Sequence, residues 1–252
     1  MHTKIGLITG ASRGLGKNTA LAMATQGIDV VLTYHSQQTS AEEVVAEITR
    51  MGRKAVALQL DVANAKSFAT FAAQLQQTLK TQWQTERLDY LVNNAGAGVT
   101  APFAETTETM FDDMVNIHLK STFFLSQTLL PLLNDGGRII NISSGLARFA
   151  LPGYSAYAAM KGGIEVLTRF MAKELGPRRI SVNTVAPGAI ETDFGHGLVR
   201  DNKEVNAYIA AQTALGRVGV PDDIGPMIAA LLSDSNRWVN AQRIEVSGGM
   251  LI

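Results

Sequence analysis

The sequence contains no cysteine. Disulfides, thiolate nucleophiles and sulfur-ligated metals are thereby excluded. Charge is scarce as well: 17% of the 252 residues are charged, and 22 basic side chains balance 22 acidic ones. No Lys/Arg run is long enough to track a phosphate backbone, so nucleic acid is not an expected partner. A surface with so little net charge repels its own copies weakly, which favours self-association. No apolar stretch approaches the roughly 18 residues of a membrane span, so no membrane partner is expected either. The chain opens Met1-His2-Thr3-Lys4 and enters an apolar strand at once, leaving no room for a signal peptide. The expectation is a soluble cytoplasmic protein.

What is present is a core. Hydrophobic residues make up 46% of the chain, and the length suits one large α/β domain. Short β-branched runs at Ile5–Thr9, Asp29–Thr33, Ala55–Leu60, Leu88–Val92, Arg138–Ile142, Ile180–Val185 and Arg243–Val246 read as strands buried on both faces. Stretches of helical length lie between them: Gly14–Gln26, Ser40–Met51, Asn64–Lys80, Met110–Leu133, Ala156–Leu175 and Pro221–Leu232. This alternation predicts a doubly wound, Rossmann-type parallel sheet of seven strands, with helices on both faces. No linker or repeat interrupts it, so residues 1–252 read as a single domain. The polar segment Lys80–Arg87 reads as an exposed loop. The segment Ala189–Ala214, with Gly188, Gly195 and Gly197 near its start, suits a substrate lid.

The first strand runs into Thr9-Gly10-Ala11-Ser12-Arg13-Gly14-Leu15-Gly16, and a helix follows. Glycines there let the backbone turn sharply and approach a pyrophosphate, while the helix N-terminus offers free N–H groups. The rival reading is a tight strand–helix turn and nothing more. The second strand ends Thr33-Tyr34-His35-Ser36, without the acidic residue that would bind a free ribose 2′-hydroxyl. Arg13 instead offers a guanidinium fork that matches a phosphate. His35 reads equally as a surface histidine or a phosphate contact, and Ser36 as a further donor. The cofactor expected is NADP(H) rather than NAD(H).

Tyr157 and Lys161 stand four apart in a helical segment and so share one face. A free phenol, with a pKa of about 10, is a poor base near neutrality. A neighbouring ammonium favours the phenolate and lowers that value. The phenol then gives a proton to a carbonyl oxygen or takes one from an alcohol. Asn141-Ile142-Ser143-Ser144 closes the fifth strand, at the sheet edge where ligands bind in doubly wound folds. Ser144 can share the charge developing on the substrate oxygen; Ser143 reads as support for the strand end.

With these residues the sequence resembles the short-chain dehydrogenase/reductase family, in its 3-oxoacyl-carrier-protein reductase-like subgroup. The resemblance spans nearly the whole chain through Thr9-Gly-x-x-x-Gly14-x-Gly16, Asp61-Val62, Asn93-Asn94-Ala95-Gly96, Asn116, Ser144, Tyr157-x-x-x-Lys161 and Pro187-Gly188. It implies that Ser144 and Tyr157 hold the substrate oxygen and that Lys161 binds the nicotinamide ribose. Asn116 would hold a water linking that lysine to solvent; read bare, it satisfies a helix kink. Asp61 would contact the adenine with Val62 beside it; read bare, Asp61 is a loop or cap residue. Asn93, Asn94, Ala95 and Gly96 would line the cofactor and steady the sheet; read bare, they form a turn. Pro187, Gly188, Ile190 and Thr192 would complete the nicotinamide end, with Thr192 as a helix cap its rival role.

The resemblance also implies direct hydride transfer without a metal, and a homotetramer (or dimer) joined through Met110–Leu133 and Ala156–Leu175. The sequence departs from the family pattern at Met160 and, near the C-terminus, at Asn240-Ala241-Gln242 and Ser247-Gly248-Gly249. The last stands where the family often has Asp-Gly-Gly.

Phe149, Leu151 and Tyr154 fall where family members line the substrate pocket, and their bulk suggests an apolar or aromatic ketone. His196 in the lid is a weak substrate contact. Arg148, Arg169, Lys173 and Arg178 would suit a carrier-protein substrate if they converged. His118 reads as a packed or solvent-facing histidine, and the four histidines lack ligand spacing for a metal. The function expected is reduction of a small-molecule ketone or 3-oxoacyl group, or oxidation of the alcohol. The rivals are an NAD(H)-dependent alcohol dehydrogenase, a non-catalytic NADP-binding sensor, and a sugar-nucleotide epimerase or dehydratase. The last needs a larger C-terminal substrate domain.

Overall fold

The computed structural model describes residues 3–252. In chain order the elements are β1 (Ile5–Ile8), α1 (Gly14–Thr25), β2 (Asp29–Tyr34), α2 (Gln38–Arg50), β3 (Ala55–Gln59), α3 (Phe68–Trp83) and β4 (Leu88–Asn93). They continue as α4 (Glu108–Met114), a π-helical turn (Val115–Lys120), α5 (Ser121–Leu129), β5 (Leu133–Ile142), α6 (Ser155–Leu175) and β6 (Ser181–Pro187). The chain closes with α7 (Leu198–Asp201), α8 (Lys203–Ala211), α9 (Gly225–Leu231) and β7 (Arg243–Val246).

All seven strands lie in one parallel sheet, in the order β3-β2-β1-β4-β5-β6-β7. Alternate strand residues face opposite ways. Ile8, Val30, Leu32, Val92 and Ile140 pack beneath α1, α2 and α9. Leu7, Val31, Leu91, Ile139 and Val182 pack beneath α3, α5 and α6. Two buried faces explain why the strands read as unbroken apolar runs. The winding direction reverses between β1 and β4, opening a crevice at their carboxyl ends. Among the described residues no helix is long and apolar enough to cross a membrane.

Several expected boundaries move. The long helix ends at Leu129 rather than Leu133, and Leu133 opens β5. Pro131 cannot continue a helix, because it lacks the backbone donor. The expected loop Lys80–Arg87 is half helix: α3 runs on to Trp83, whose Nε1 donates to the buried Asp29 carboxylate at 2.8 Å. The segment 189–214 is structured, with a 3-10 turn at Phe194–Gly197 before α7 and α8. Asn206 ties it inward, donating to the Glu191 carboxylate at 2.7 Å and the Val199 carbonyl at 3.0 Å.

Candidate active site

The glycine loop leaves β1 at the crevice. Gly10 has φ +64, and a Cβ there would lie 2.9 Å from the Ala95 Cα. A Cβ on Gly16 would collide with the Gly10 carbonyl oxygen. Backbone therefore packs on backbone, forming a cradle that side chains would fill. Arg13, extended and exposed, precedes α1 without capping it through its side chain. The first N–H groups of α1 thus have no side-chain cap, and they face the crevice with the positive end of the helix dipole. Ser12 is half-buried and Leu15 packs onto the core. The loop is fastened by Asn94, from the Asn93–Gly96 motif. Asn94 donates to the carbonyls of Thr9 (2.8 Å) and Gly10 (3.2 Å), and Thr9 Oγ1 accepts from the backbone of Asn94 and Ala95. A donor-rich cradle of this kind fits a dinucleotide pyrophosphate.

The other expected cofactor residues divide. His35 and Ser36 are exposed just past β2, with no carboxylate at Tyr34-His35-Ser36, and Arg13 Nε lies 3.9 Å from the Asp193 carboxylate. Asp61 is exposed and accepts from the Ala63 N–H at 2.9 Å, a loop turn of its own, while Val62 packs on the core. Asn93 faces inward, donating to Ser126 (3.0 Å) and Asn141 (2.8 Å). It steadies the sheet, while Ala95 and Gly96 form the loop beside it. Pro187 ends β6, and Gly188 packs against Ser247. Ile190 bridges to Gly219. Thr192 is buried and its hydroxyl accepts from the Phe194 N–H at 3.2 Å, a local turn ahead of Phe194–Gly197, whose N-cap position is Asp193.

The catalytic half lies across the crevice, where β5 meets α6. Tyr157 is 7% exposed and Lys161, one turn on, 4%. Lys161 Nζ donates to the Ile142 carbonyl at 2.8 Å and sits 5.5 Å from the centre of the Tyr157 ring. One of its three N–H bonds is thus committed, leaving two for a ligand. Burial pushes the lysine down to about 7. Burial also pushes the Tyr157 phenol up to about 12, with the Ser144 hydroxyl working the other way and Tyr154 adding to the rise. The lowering expected from a neighbouring ammonium is not found: desolvation dominates the phenol, and Lys161 is itself pushed down by burial. At neutral pH the phenol keeps its proton. Ser144 caps the short turn Gly145–Ala147, its Oγ accepting from the Leu146 N–H at 3.2 Å.

Asn116 lies in the π-helical turn, and its side chain accepts from Lys120 at 3.3 Å on the same helix. The kink foreseen in its bare reading is this wide turn. His118 on the same turn is 1% exposed, so it is packed. Its Nε2 lies 2.7 Å from the Ala97 carbonyl, and its ring meets Tyr157 edge-on at 5.2 Å. Burial and then the charge of Lys161 push it down to about 3.

The substrate side holds one residue that sequence reasoning missed. Phe194 stacks on Tyr157, with ring centres 5.7 Å apart, and lies over Gly98, where a Cβ would meet its ring at 2.9 Å. Its placement depends on left-handed backbone at Gly195, His196 and Gly197. That turn exposes His196 on an outer depression shared with Asp201 and Lys203, away from Tyr157. Tyr154 and Leu151 are half-buried before α6. Phe149 packs with Ile209, Val218 and Met250, tying the turn after Ser144 to the 189–214 segment. The basic residues do not converge. Arg148 is held by Glu245, and Arg178 by Asp135 and the carbonyls of Leu130 and Leu133. Arg169 and Lys173 lie about 18 and 24 Å along α6 from Tyr157.

Known proteins resemble the chain over almost its whole length. A family model described as enoyl-(acyl carrier protein) reductase matches residues 10–251. A hydroxynaphthalene reductase-like protein of Metarhizium brunneum is 37% identical, over 98% of this chain and 94% of its own. Among solved structures, the promiscuous reductase LugOII, which catalyses keto-reduction at C1 in lugdunomycin biosynthesis, superposes with a TM-score of 0.94. It is 37% identical, over 100% of this chain and 99% of its own. The angucycline C-6 ketoreductase LanV, solved with bound NADP, also gives 0.94, at 36% identity over 99% of this chain and 96% of its own. The chain belongs to the short-chain dehydrogenase/reductase family and is an oxidoreductase of that family.

Proposed function

We propose that the protein reduces a small apolar or aromatic ketone with NADPH, Tyr157 donating the proton. The observation that carries this reading is the buried Tyr157 with Lys161 and Ser144 beside it, at the same sheet edge as the glycine cradle. Bound in that cradle, the reduced nicotinamide would supply hydride. Tyr157 holds the proton to be delivered to the carbonyl oxygen, and Ser144 Oγ offers that oxygen a second hydrogen bond. The two uncommitted N–H bonds of Lys161 suit ribose hydroxyls. Asn116, by its place on the π turn, would keep a water on the path from Lys161 to solvent.

Arg13, with no acid at Tyr34-His35-Ser36, supports NADP(H) over NAD(H). The relative LanV was solved with NADP, and the named relatives act on ketones or hydroxynaphthalenes. Phe194 beside Tyr157, and half-buried Tyr154 just before α6, offer aromatic surface that suits substrates of that shape. The scattering of Arg148, Arg169, Lys173 and Arg178 disfavours a carrier-protein substrate. Residues 189–214 serve as the lid in this reading. Exposed Phe123 and Phe124 on α5, with Val166 and Phe170 on α6, supply the apolar faces through which copies would assemble into a tetramer.

The test follows NADPH and NADH oxidation across tetralone-like ketones, β-keto esters, quinones and an acyl thioester, in wild type and Tyr157→Phe. Turnover of aromatic ketones with NADPH, abolished in the variant, is expected. Equal efficiency with NADH overturns the cofactor assignment, and undiminished turnover by Tyr157→Phe overturns the mechanism.

A further inference from the structure

Behind Ser144 runs a chain of four alternating charges. Glu165, one turn beyond Lys161 on α6, accepts through one oxygen from Ser143 Oγ at 2.7 Å and from Arg243 Nε at 2.7 Å. Arg243 reaches on to Glu245 at 2.9 Å and to the Ser144 carbonyl at 3.4 Å. Glu245 takes both arms of Arg148 at 2.7 Å. Arg148 ends the chain on the carbonyls of Met250 (2.7 Å) and Leu251 (3.0 Å). Two positive and two negative groups cancel. Glu165, Arg243 and Glu245 are mostly buried, with side chains 14, 23 and 20% exposed, so solvent screens their pairing less than at an open surface.

The chain explains a departure from the family pattern. Ser247 donates to Glu245 at 2.9 Å. An aspartate in its place would set a second carboxylate against the first, and a hydroxyl removes that conflict.

We propose that this ion chain is a positioning device: Glu165 and Arg243 fix the Ser143–Ser144 strand end against Tyr157, and Arg148 clamps the C-terminal residues. Through Phe149, which follows Arg148 and packs with Met250 and Ile209, the clamp also holds the 189–214 segment. None of the four side chains acts on substrate; each acts through Ser144 or Phe149. The kinetic part rests on the ketone-reductase reading above; the clamp itself does not.

Two variants separate the halves. Glu165→Gln keeps an acceptor for Ser143 but removes the charge that holds Arg243. It is expected to lower kcat about tenfold or more, since small displacements of a catalytic group are costly. NADPH affinity, read from nicotinamide fluorescence, and KM should stay near wild type. Arg243→Lys, which keeps the charge, should retain more of kcat. Arg148→Met removes the guanidinium that holds Glu245 and the tail carbonyls and leaves an apolar side chain at this exposed position; its melting temperature, read alongside, checks that the fold is kept. It should raise KM more than it lowers kcat, and speed hydrogen exchange about tenfold in 199–209 and 250–252. Unchanged kcat in Glu165→Gln overturns the Ser144 half. Unchanged exchange in Arg148→Met overturns the clamp. Should wild type turn over no carbonyl, the ketone-reductase reading fails, and the exchange experiment alone decides the clamp.

Discussion

The two sides of the crevice are built by opposite means. On the cofactor side the groups that matter are backbone, close to the surface, and shaped by missing side chains: a Cβ on Gly10 or Gly16 would meet Ala95 or Gly10 itself. Asn94 and Thr9 pin that loop before any ligand arrives. On the catalytic side the groups are side chains taken out of water, and their chemistry follows from burial. Tyr157 and Lys161 move in opposite directions, the phenol up to about 12 and the ammonium down to about 7. Both shifts favour the neutral form, the signature of desolvation rather than of mutual attraction. Preorganised shape thus serves recognition on one side, and a dry environment serves proton transfer on the other.

The comparison can be broken on either side. Tyr157→Phe removes the proton but little volume; a fall in kcat of roughly 10²–10⁴-fold is expected, with NADPH binding unchanged in a fluorescence titration. On the cofactor side, Arg13→Ala should cost about 10–100-fold in kcat/KM for NADPH and little for NADH, the range of a charge-assisted hydrogen bond. Steady-state kinetics with both cofactors checks this, and equal losses for the two would detach Arg13 from the 2′-phosphate. Gly16→Ala tests shape alone. Overpacking of about 1–3 kcal/mol is expected, seen as a melting temperature several degrees lower and as weaker binding of both cofactors.

The last effect is seen only as a pH slope and concerns His118. Its folded-state pKa of about 3 lies below the ordinary 6.5, so below pH 6.5 the unfolded chain binds the extra proton. Stability then falls as pH drops from about 6.5 toward 3, by at most about 1.4 kcal/mol per pH unit. His118→Phe should flatten that slope in chemical denaturation series between pH 6.5 and 4.5. An unaltered slope would place the titrating group elsewhere.

The same division governs what could be read from the chain alone. The strands and the glycine loop were legible because apolar runs and glycines are local requirements. Tyr157, Lys161 and Ser144 were legible as a set because they recur at family spacing. Phe194 was not: its position over Tyr157 depends on left-handed backbone at Gly195, His196 and Gly197, which no periodicity announces. Asn93 and Asn94 were legible only as one motif, since only the sheet decides which amide faces the core and which the loop. The ends of α3 and α5 were misjudged where Trp83 and the Leu129–Leu133 run kept helical or apolar character across a boundary. The ion chain from Glu165 to Arg148 joins residues from three distant stretches, so only the fold assembles it.

The π-helical turn at Val115–Lys120 accommodates one more residue than an α-helical turn. In an α-helix each residue advances the azimuth by about 100°. The surplus residue therefore changes the phase between α4 on one side of the turn and α5 on the other. Met114 can face the cluster around Tyr157 and Met160, while Leu125 and Leu129 face the core beneath β4 and β5. Deleting one residue from this turn would keep the composition of the helix almost intact and set its two halves out of step. The wide turn acts as a phase shifter, letting one continuous helix address two differently oriented surfaces.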